Sequence, residues 1–324
     1  MAIAARPEAH PELDLERYRR ELRGYCYRML GSAFEADDAV QETMVRAWRS
    51  FDGFEGRSSV RRWLYRIATN VCLRTIENRR RRALPMDLTG SSPGTAELGS
   101  PRPEVTWVEP IPDDRVIEAS DDPAELAASR ESIRLAFIAA LQHLPPRQRA
   151  VLILRDVLRW RAAEVAELLD TTVVSVNSAL QRARESLAAA EARRGDRPPP
   201  PPSDEAQRRL VERYVDAFVR LDVDTLVSLL REDGTVSMPP YELWLEGPDE
   251  YRRFLDLSGC HVPGRTVEVV AANGSPALGI YEPGGEPVGI QVLDLAGDRI
   301  AGVHMFLFPA LFELFGLPPR PPGR

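Results

Sequence analysis

Apolar positions recur every three or four residues through the first quarter of the chain. From Leu13 to Met29, the residues Leu15, Tyr18, Leu22, Tyr25, Cys26 and Met29 keep this spacing and predict an amphipathic helix. A second helix follows closely. Glu35, Asp37 and Asp38 load its first turn with negative charge, which favours a helix N-terminus, and Val40, Met44, Ala47, Trp48 and Phe51 form its inward stripe. Its other face shows Gln41, Glu42, Arg46 and Arg49. After a turn at Gly53 and Gly56, Ser58 or Ser59 caps a third helix striped by Val60, Trp63, Leu64, Ile67, Val71 and Ile76. The three together predict a compact all-α unit.

The periodicity then stops. Residues 84–122 carry Pro85, Pro93, Pro101, Pro103, Pro110 and Pro112 with many acids and few branched apolar residues, so an extended linker is expected. Helical spacing returns beyond it. Pro145 and Pro146 separate a helix ending near Leu144 from three short ones, Arg147–Leu158, Arg161–Leu169 and Val173–Ala190. The last two are joined by Asp170-Thr171-Thr172, the tight connection of a helix-turn-helix. A proline tract from Arg197 to Pro202 marks a boundary. Past it the period changes. Helices at Glu205–Leu221 and Thr225–Arg231 precede strands at Gly234–Met238, Arg265–Ala272, Ala277–Tyr281, Val288–Leu295 and Arg299–Phe308, with a helix near Gly247–Leu257, which predicts an α+β tail.

Charge sharpens this picture. The formal net charge of −7 argues against a nucleic-acid partner only if it is evenly spread, and it is segmented. Residues 57–82 hold nine arginines (Arg57, Arg61, Arg62, Arg66, Arg74, Arg79, Arg80, Arg81 and Arg82) against the single acid Glu77. Trp63 and Tyr65 sit inside that run, and aromatic rings beside arginines suit an opened nucleic-acid strand. Residues 83–125 hold ten acids against Arg102 and Arg115, and residues 145–194 hold nine arginines against six acids. On the second helix of the helix-turn-helix, Val173, Val176, Leu180 and Leu187 make the apolar stripe. That leaves Thr172, Ser175, Asn177, Ser178, Gln181, Arg182 and Arg184 to face DNA, the early polar ones at base edges and the later arginines at phosphates. The three cysteines, Cys26, Cys72 and Cys260, fit neither a disulfide framework nor a zinc spacing. No apolar run approaches the length of a membrane span and the N-terminus does not read as a signal peptide, so a soluble protein of the cytoplasm, with no metal or cofactor, is expected.

The segment from Ala36 to Arg49, followed by Trp63-Leu-Tyr-Arg-Ile-Ala-Thr-Asn70, resembles region two of the extracytoplasmic-function sigma factors of bacterial RNA polymerase, within the sigma-70 family. Leu144-Pro-Pro-Arg-Gln-Arg-Ala-Val-Leu-Ile-Leu154 through Leu187 resembles their region four. The rest is similar to a SnoaL-like tail found on one subgroup, with Trp107-Val-Glu-Pro-Ile-Pro-Asp113 and Phe315-Gly-Leu-Pro318 as its marks. The implied fold is multidomain: a region-two helical bundle (10–83), an acidic proline-rich linker (84–125), a region-four helix-turn-helix (126–194), a proline linker (195–203) and an α+β domain with a cone-shaped curved sheet (204–320). The resemblance implies that Asp37, Asp38, Gln41, Glu42 and Arg46 meet the coiled coil of the largest polymerase subunit, with the flap as a further polymerase contact. It implies that the loop Phe51–Ser59 and the helix through Trp63, Asn70 and Arg74 capture and melt the minus-ten element of promoter DNA, and that Ser175–Arg184 reads the minus-thirty-five element. The linker would thread the RNA exit path. Asn177 departs from the basic residue that many relatives carry there.

In the tail, Tyr241, Trp244, His304 and Phe306 are candidates to line a small-molecule pocket, and Asp233 with His304 hints at acid–base chemistry. A single histidine on an apolar strand is more often a satisfied core residue, and no second base lies at a useful spacing, so no catalysis is expected. The tail is expected instead to touch the sigma domains or the polymerase and to modulate transcription. Two rival readings are a stand-alone helix-turn-helix regulator with a ligand-binding tail, and a SnoaL-like isomerase or hydrolase fused to DNA-binding helices. The regulator reading leaves the acidic helix Asp37–Arg49 unexplained.

Overall fold

The computed structural model describes residues 15–54, 56, 59–77, 81–118, 120–193, 204–259 and 262–321. Helices α1 (Arg19–Leu30), α2 (Ala33–Ser50) and α3 (Val60–Glu77) form the first unit. Gly31 ends α1 in the left-handed conformation, and Ser32 opens α2 by accepting the Glu35 N–H at 3.2 Å. Leu22, Tyr25, Met29, Val40, Leu64, Tyr65 and Val71 bury the faces that the sequence spacing assigns to the core. Trp48 is the exception. It stands 50% exposed, because the core stripe of α2 runs through Ala36, Val40, Thr43, Met44 and Ala47 and the turn places position 48 outside it.

The proline-rich segment lacks long elements, as its composition predicts, but it is packed. Only short turns interrupt it, including α4 (Asp113–Val116). Trp107, Val108 and Ile111 are fully buried, Ala83 and Trp107 form a parallel bridge, and Pro112 bridges Ala272 of the tail. Burial of these apolar side chains outweighs the extended, solvated state that proline and acid content favour. Next come α5 (Pro123–Glu131), α6 (Leu135–Gln142), α7 (Pro146–Leu152), α8 (Ala162–Leu168) and α9 (Val173–Arg193). The turn Ile153–Val157 continues α7 with π-helical hydrogen bonds.

The tail contains α10 (Asp204–Arg220), α11 (Val223–Leu229), β1 (Leu230–Ser237), β2 (Trp244–Glu246), α12 (Pro248–Ser258), β3 (Thr266–Ala272), β4 (Ser275–Tyr281), β5 (Pro287–Ala296), β6 (Arg299–Phe306) and α13 (Leu311–Leu314). Its sheet runs β2-β1-β6-β5-β4-β3, with β1 parallel to β6 and the other neighbours antiparallel. Register shifts in the β1/β6, β4/β5 and β5/β6 pairs bend it into one curved open sheet. Strand β2, only three residues long, escapes the sequence pattern.

Two cores result, and they do not follow the sequence boundaries. One lies between the inner sheet face (Leu278, Leu293, Val303, Met305) and Tyr214, Leu226 and Phe254 of the tail helices. The other is continuous from Leu22 of α1 through Trp107 and Ile138 to the outer sheet face, where Ala277, Val292 and Phe306 contribute. The first helical unit, the linker, the helix-turn-helix and the tail thus share one apolar interior.

Candidate partner and nucleic-acid interfaces

Three helices present the residues singled out by sequence. On α2, Asp38, Gln41 and Glu42 are exposed, and Arg46 pairs with Glu42 at 2.6 Å. Phe34 (41% exposed) and Trp48 lie on the same side, so positions 34, 38, 41, 45 and 48 form one outward line about 21 Å long at ~1.5 Å per residue. Asp37 is placed differently. Its carboxylate accepts from Arg23 of α1 and from Arg115 of the linker at 3.0 Å, so it is half-buried and ties α2 to α1 and the linker.

On α3, Arg66, Asn70 and Arg74 are exposed along one side, while Trp63 is half-buried between the rings of Phe51 (6.2 Å) and Phe54 (5.0 Å). Arg61 bonds Glu21 at 2.8 Å, and Arg62 is held by Glu164 and Glu167 of α8 at 2.9 and 3.0 Å. Arg82, counted with the basic run, faces inward instead. It is 3% exposed and its guanidinium meets the Trp107 carbonyl (2.6 Å), Glu35 (3.1 Å) and Glu109 (3.2 Å). Burial raises the Glu109 carboxyl, and Arg82 and Ser32 offset that rise only in part. Arg57, Arg79 and Arg80 lie outside the described residues.

On α9, Thr172, Ser175, Asn177, Ser178, Gln181, Arg182 and Arg184 are all exposed. Thr172 Oγ1 accepts the Ser175 N–H at 3.1 Å, Gln181 bonds Glu185 at 3.0 Å, and Arg184 makes two parallel bonds to Asp156 at 2.8 and 2.7 Å. Val176 and Leu180 are buried as the stripe predicts, but Val173, the first residue of α9, is 42% exposed.

The tail residues do not form the expected pocket. Trp244, Ser237, His304 and Val292 stand in one row across β2, β1, β6 and β5, and Phe306 shares their face, but that is the outer face that carries the shared core. Trp244 donates its indole N–H to the Thr89 carbonyl of the linker at 2.9 Å, and Tyr241 packs with the opposite cluster. His304 Nδ1 lies 2.8 Å from Ser237 Oγ and its Nε2 lies 3.2 Å from Asp294, which also meets Arg134 at 3.3 Å. Gly302 makes room for this: a Cβ there would come within 2.8 Å of His304 Nε2. Burial raises the Asp294 carboxyl, but His304 and Arg134 outweigh it and hold the group far below the usual range. Asp233 does not join His304; it pairs with Arg231 at 2.7 Å on the surface. The histidine is a satisfied core residue that links the sheet to the start of α6.

Sequence reasoning missed the contacts that join the units. At the tip of the β3–β4 hairpin, Asn273 donates to Tyr27 Oη (2.7 Å) and the Ile133 carbonyl (2.6 Å), and accepts the Ile111 N–H (2.9 Å). The Gly274 N–H donates to Asp113 at 2.8 Å, and burial pushes the Asp113 carboxyl up to about 6. The Asn-Gly pair between two apolar runs was a readable hairpin signal; what it would plug into was not.

Family models describe residues 15–82 as Sigma-70 region 2, residues 134–187 as Sigma-70, region 4, and residues 211–303 as a SnoaL-like domain. The chain is 47% identical over 309 residues to the ECF RNA polymerase sigma factor SigG of Mycobacterium tuberculosis H37Rv, covering 94% of this chain and 82% of that protein. It is 29% identical over 280 residues to SigJ of the same strain, an ECF RNA polymerase sigma factor, with 84% and 80% covered. The crystal structure of the M. tuberculosis extracytoplasmic function sigma factor SigJ is similar in fold, with a TM-score of 0.60 at 24% identity over 94% of this chain and 98% of that one.

Proposed function

The chain belongs to the ECF RNA polymerase sigma factors, which direct polymerase to promoters and start transcription there, and from that premise we propose how its surfaces divide the work. The α2 face of Asp38, Gln41, Glu42 and Arg46 docks on the coiled coil of the largest polymerase subunit in the cytoplasm, and the flap is the second polymerase contact. Asp37 joins that face only after Arg115 releases it. Arg61, Arg62, Trp63, Arg66, Asn70 and Arg74 of α3, together with Arg57, Arg79 and Arg80 of the same basic run of sequence, capture the opened minus-ten strand. Thr172, Ser175, Asn177, Ser178, Gln181, Arg182 and Arg184 read the minus-thirty-five element. The tail does no chemistry; it modulates the factor by gripping α1 and the linker through Asn273.

The observation that carries this reading is the outward display of polar side chains on both α2 and α9 around a shared interior. A helix-turn-helix regulator alone needs only the second of these surfaces. Transcription by purified core polymerase on a pool of promoter fragments tests it. Protein-dependent transcripts are expected with the wild-type chain and are lost with Asp38→Ala/Glu42→Ala. DNA binding that never yields a transcript would refute it.

A further inference from the structure

Arg62 heads a line on α3 that continues through Arg66, Asn70 and Arg74 at intervals of four, all on one side of the helix. The last three are exposed. Arg62 is covered: its two terminal nitrogens donate to Glu164 (2.9 Å) and Glu167 (3.0 Å) on α8, the first helix of the helix-turn-helix. Next to them, in the turn between α7 and α8, Trp160 is 6% exposed, with its ring 5.0 Å from the ring of Tyr65. The Arg61 guanidinium lies over both rings, 5.2 Å from Tyr65 and 5.6 Å from Trp160. The turn reverses at Arg159 with φ 57°, a conformation that costs a non-glycine residue energy and that is found where a side chain must be aimed.

A flat ring tilted at 55° against tyrosine and covered by an arginine, followed by carboxylates on the two terminal nitrogens of the next arginine, presents the groups that a single strand offers: a base and then its phosphates. The contact is also built to separate. The Glu167 side chain is 57% exposed, so water and salt compete for its bond. The Trp160 indole N–H is buried without a hydrogen-bond partner, and it gains one from solvent on leaving.

We propose that Trp160, Glu164 and Glu167 form an internal nucleic-acid mimic that occupies the strand-capturing end of α3 until an opened promoter strand displaces it. The proposal rests on the sigma reading of α3. Strand binding then has to compete with a tethered occupant, so its apparent affinity falls by the fraction of molecules in the closed form.

The test is binding of a short, labelled, single-stranded DNA oligonucleotide to the full chain, followed by fluorescence anisotropy. Glu164→Gln/Glu167→Gln keeps the shape of both side chains, and glutamine still supplies the Glu164 cap to the Arg161 N–H. This variant is expected to bind about tenfold more tightly than wild type. Glu212→Gln/Asp216→Asn, which removes two exposed charges on α10, is expected to stay within about twofold, as screened distant charges should. Adding Arg62→Gln to the first variant should cancel its gain. An unchanged affinity in Glu164→Gln/Glu167→Gln overturns the mimic, as does an equal gain in the α10 control or a gain that survives Arg62→Gln. Polymerase-dependent transcription run on the same preparations keeps the two readings apart. If it persists while affinity is unchanged, only the mimic fails; if wild type never supports it, the sigma reading itself fails.

Discussion

Asn273 uses both amide N–H groups and its carbonyl on three separate segments, α1, the linker and the turn before α6. Its own backbone is left-handed (φ 56°), which asparagine tolerates better than most residues, and Gly274 follows at φ 70° with Arg130 too close to allow a Cβ. Asn273→Ala should therefore lower stability by about 3 kcal/mol, since it strands the buried Ile111 N–H and Ile133 carbonyl. Chemical denaturation would show it, and a loss below about 1 kcal/mol would contradict the socket. Asp113 gives the same joint a pH dependence. Its carboxyl rises from an ordinary 3.8 to about 6 through burial, against the opposing Gly274 N–H and Arg130, so the protonated form favours the docked tail. That stabilisation is complete below the unfolded value and is lost as pH rises through about 6. Protease resistance of the joint should accordingly be higher at pH 5 than at pH 7.5, and Asp113→Asn should abolish the difference. Only the local half of this was readable in the sequence: Asn-Gly announces a hairpin tip, but no pattern says which distant carbonyl an amide will meet.

At the scale of elements, periodicity located α1, α2, α3, α9 and the long strands because each buries one regular face. It misplaced Trp48 and Val173. Both sit at the edge of an apolar stripe, where a residue's angular position is compatible with core or surface and only the neighbouring helix decides. For Trp48 the outcome has a consequence, since a half-exposed indole on the proposed polymerase face is the residue type that anchors interfaces. Trp48→Ala should weaken binding to core polymerase by about tenfold or more while lowering the melting temperature by only a few degrees, because half of the side chain already stands in solvent. Titration against core polymerase with parallel thermal melts would check this, and a large drop in melting temperature would mean that Trp48 serves the core instead. β2 and α5 went unseen for the opposite reason: three residues and a helix with no buried side chain leave no periodic trace.

The whole molecule is less divisible than its composition implies. The proline-rich stretch reads as a tether, yet Trp107, Val108 and Ile111 are interior residues of a core to which the first helices, the helix-turn-helix and the outer sheet face all contribute. Arg149 reinforces the union. It is 3% exposed and donates to Gln142 and to the Leu144 and Met29 carbonyls, so a cation of α7 closes the end of α1. A shared core predicts cooperative unfolding, so calorimetry of the full chain should show one main transition. Well-separated melts for residues 15–82 and 134–187 would refute it. On the proposed reading, α3 and α9 meet two separated promoter elements, which calls for this closed body to open, and the half-exposed Arg62–Glu167 bond is the contact that water reaches first.

The sequence by itself determined the class of every long element, the order of the units and the chemistry on each helix face, because spacing, charge and turn residues act within a few positions of one another. Tertiary structure decided which of those faces are available. Asp37, Arg62 and Arg82 read as surface charges and are instead bonded by groups 78, 102 and 27 residues away, and Trp244 reads as a pocket candidate but donates its indole N–H to the Thr89 carbonyl of the linker. The reason is physical: whether a charged or aromatic side chain meets solvent, a partner or its own chain depends on desolvation and pairing between distant segments, and that is settled only when the segments pack.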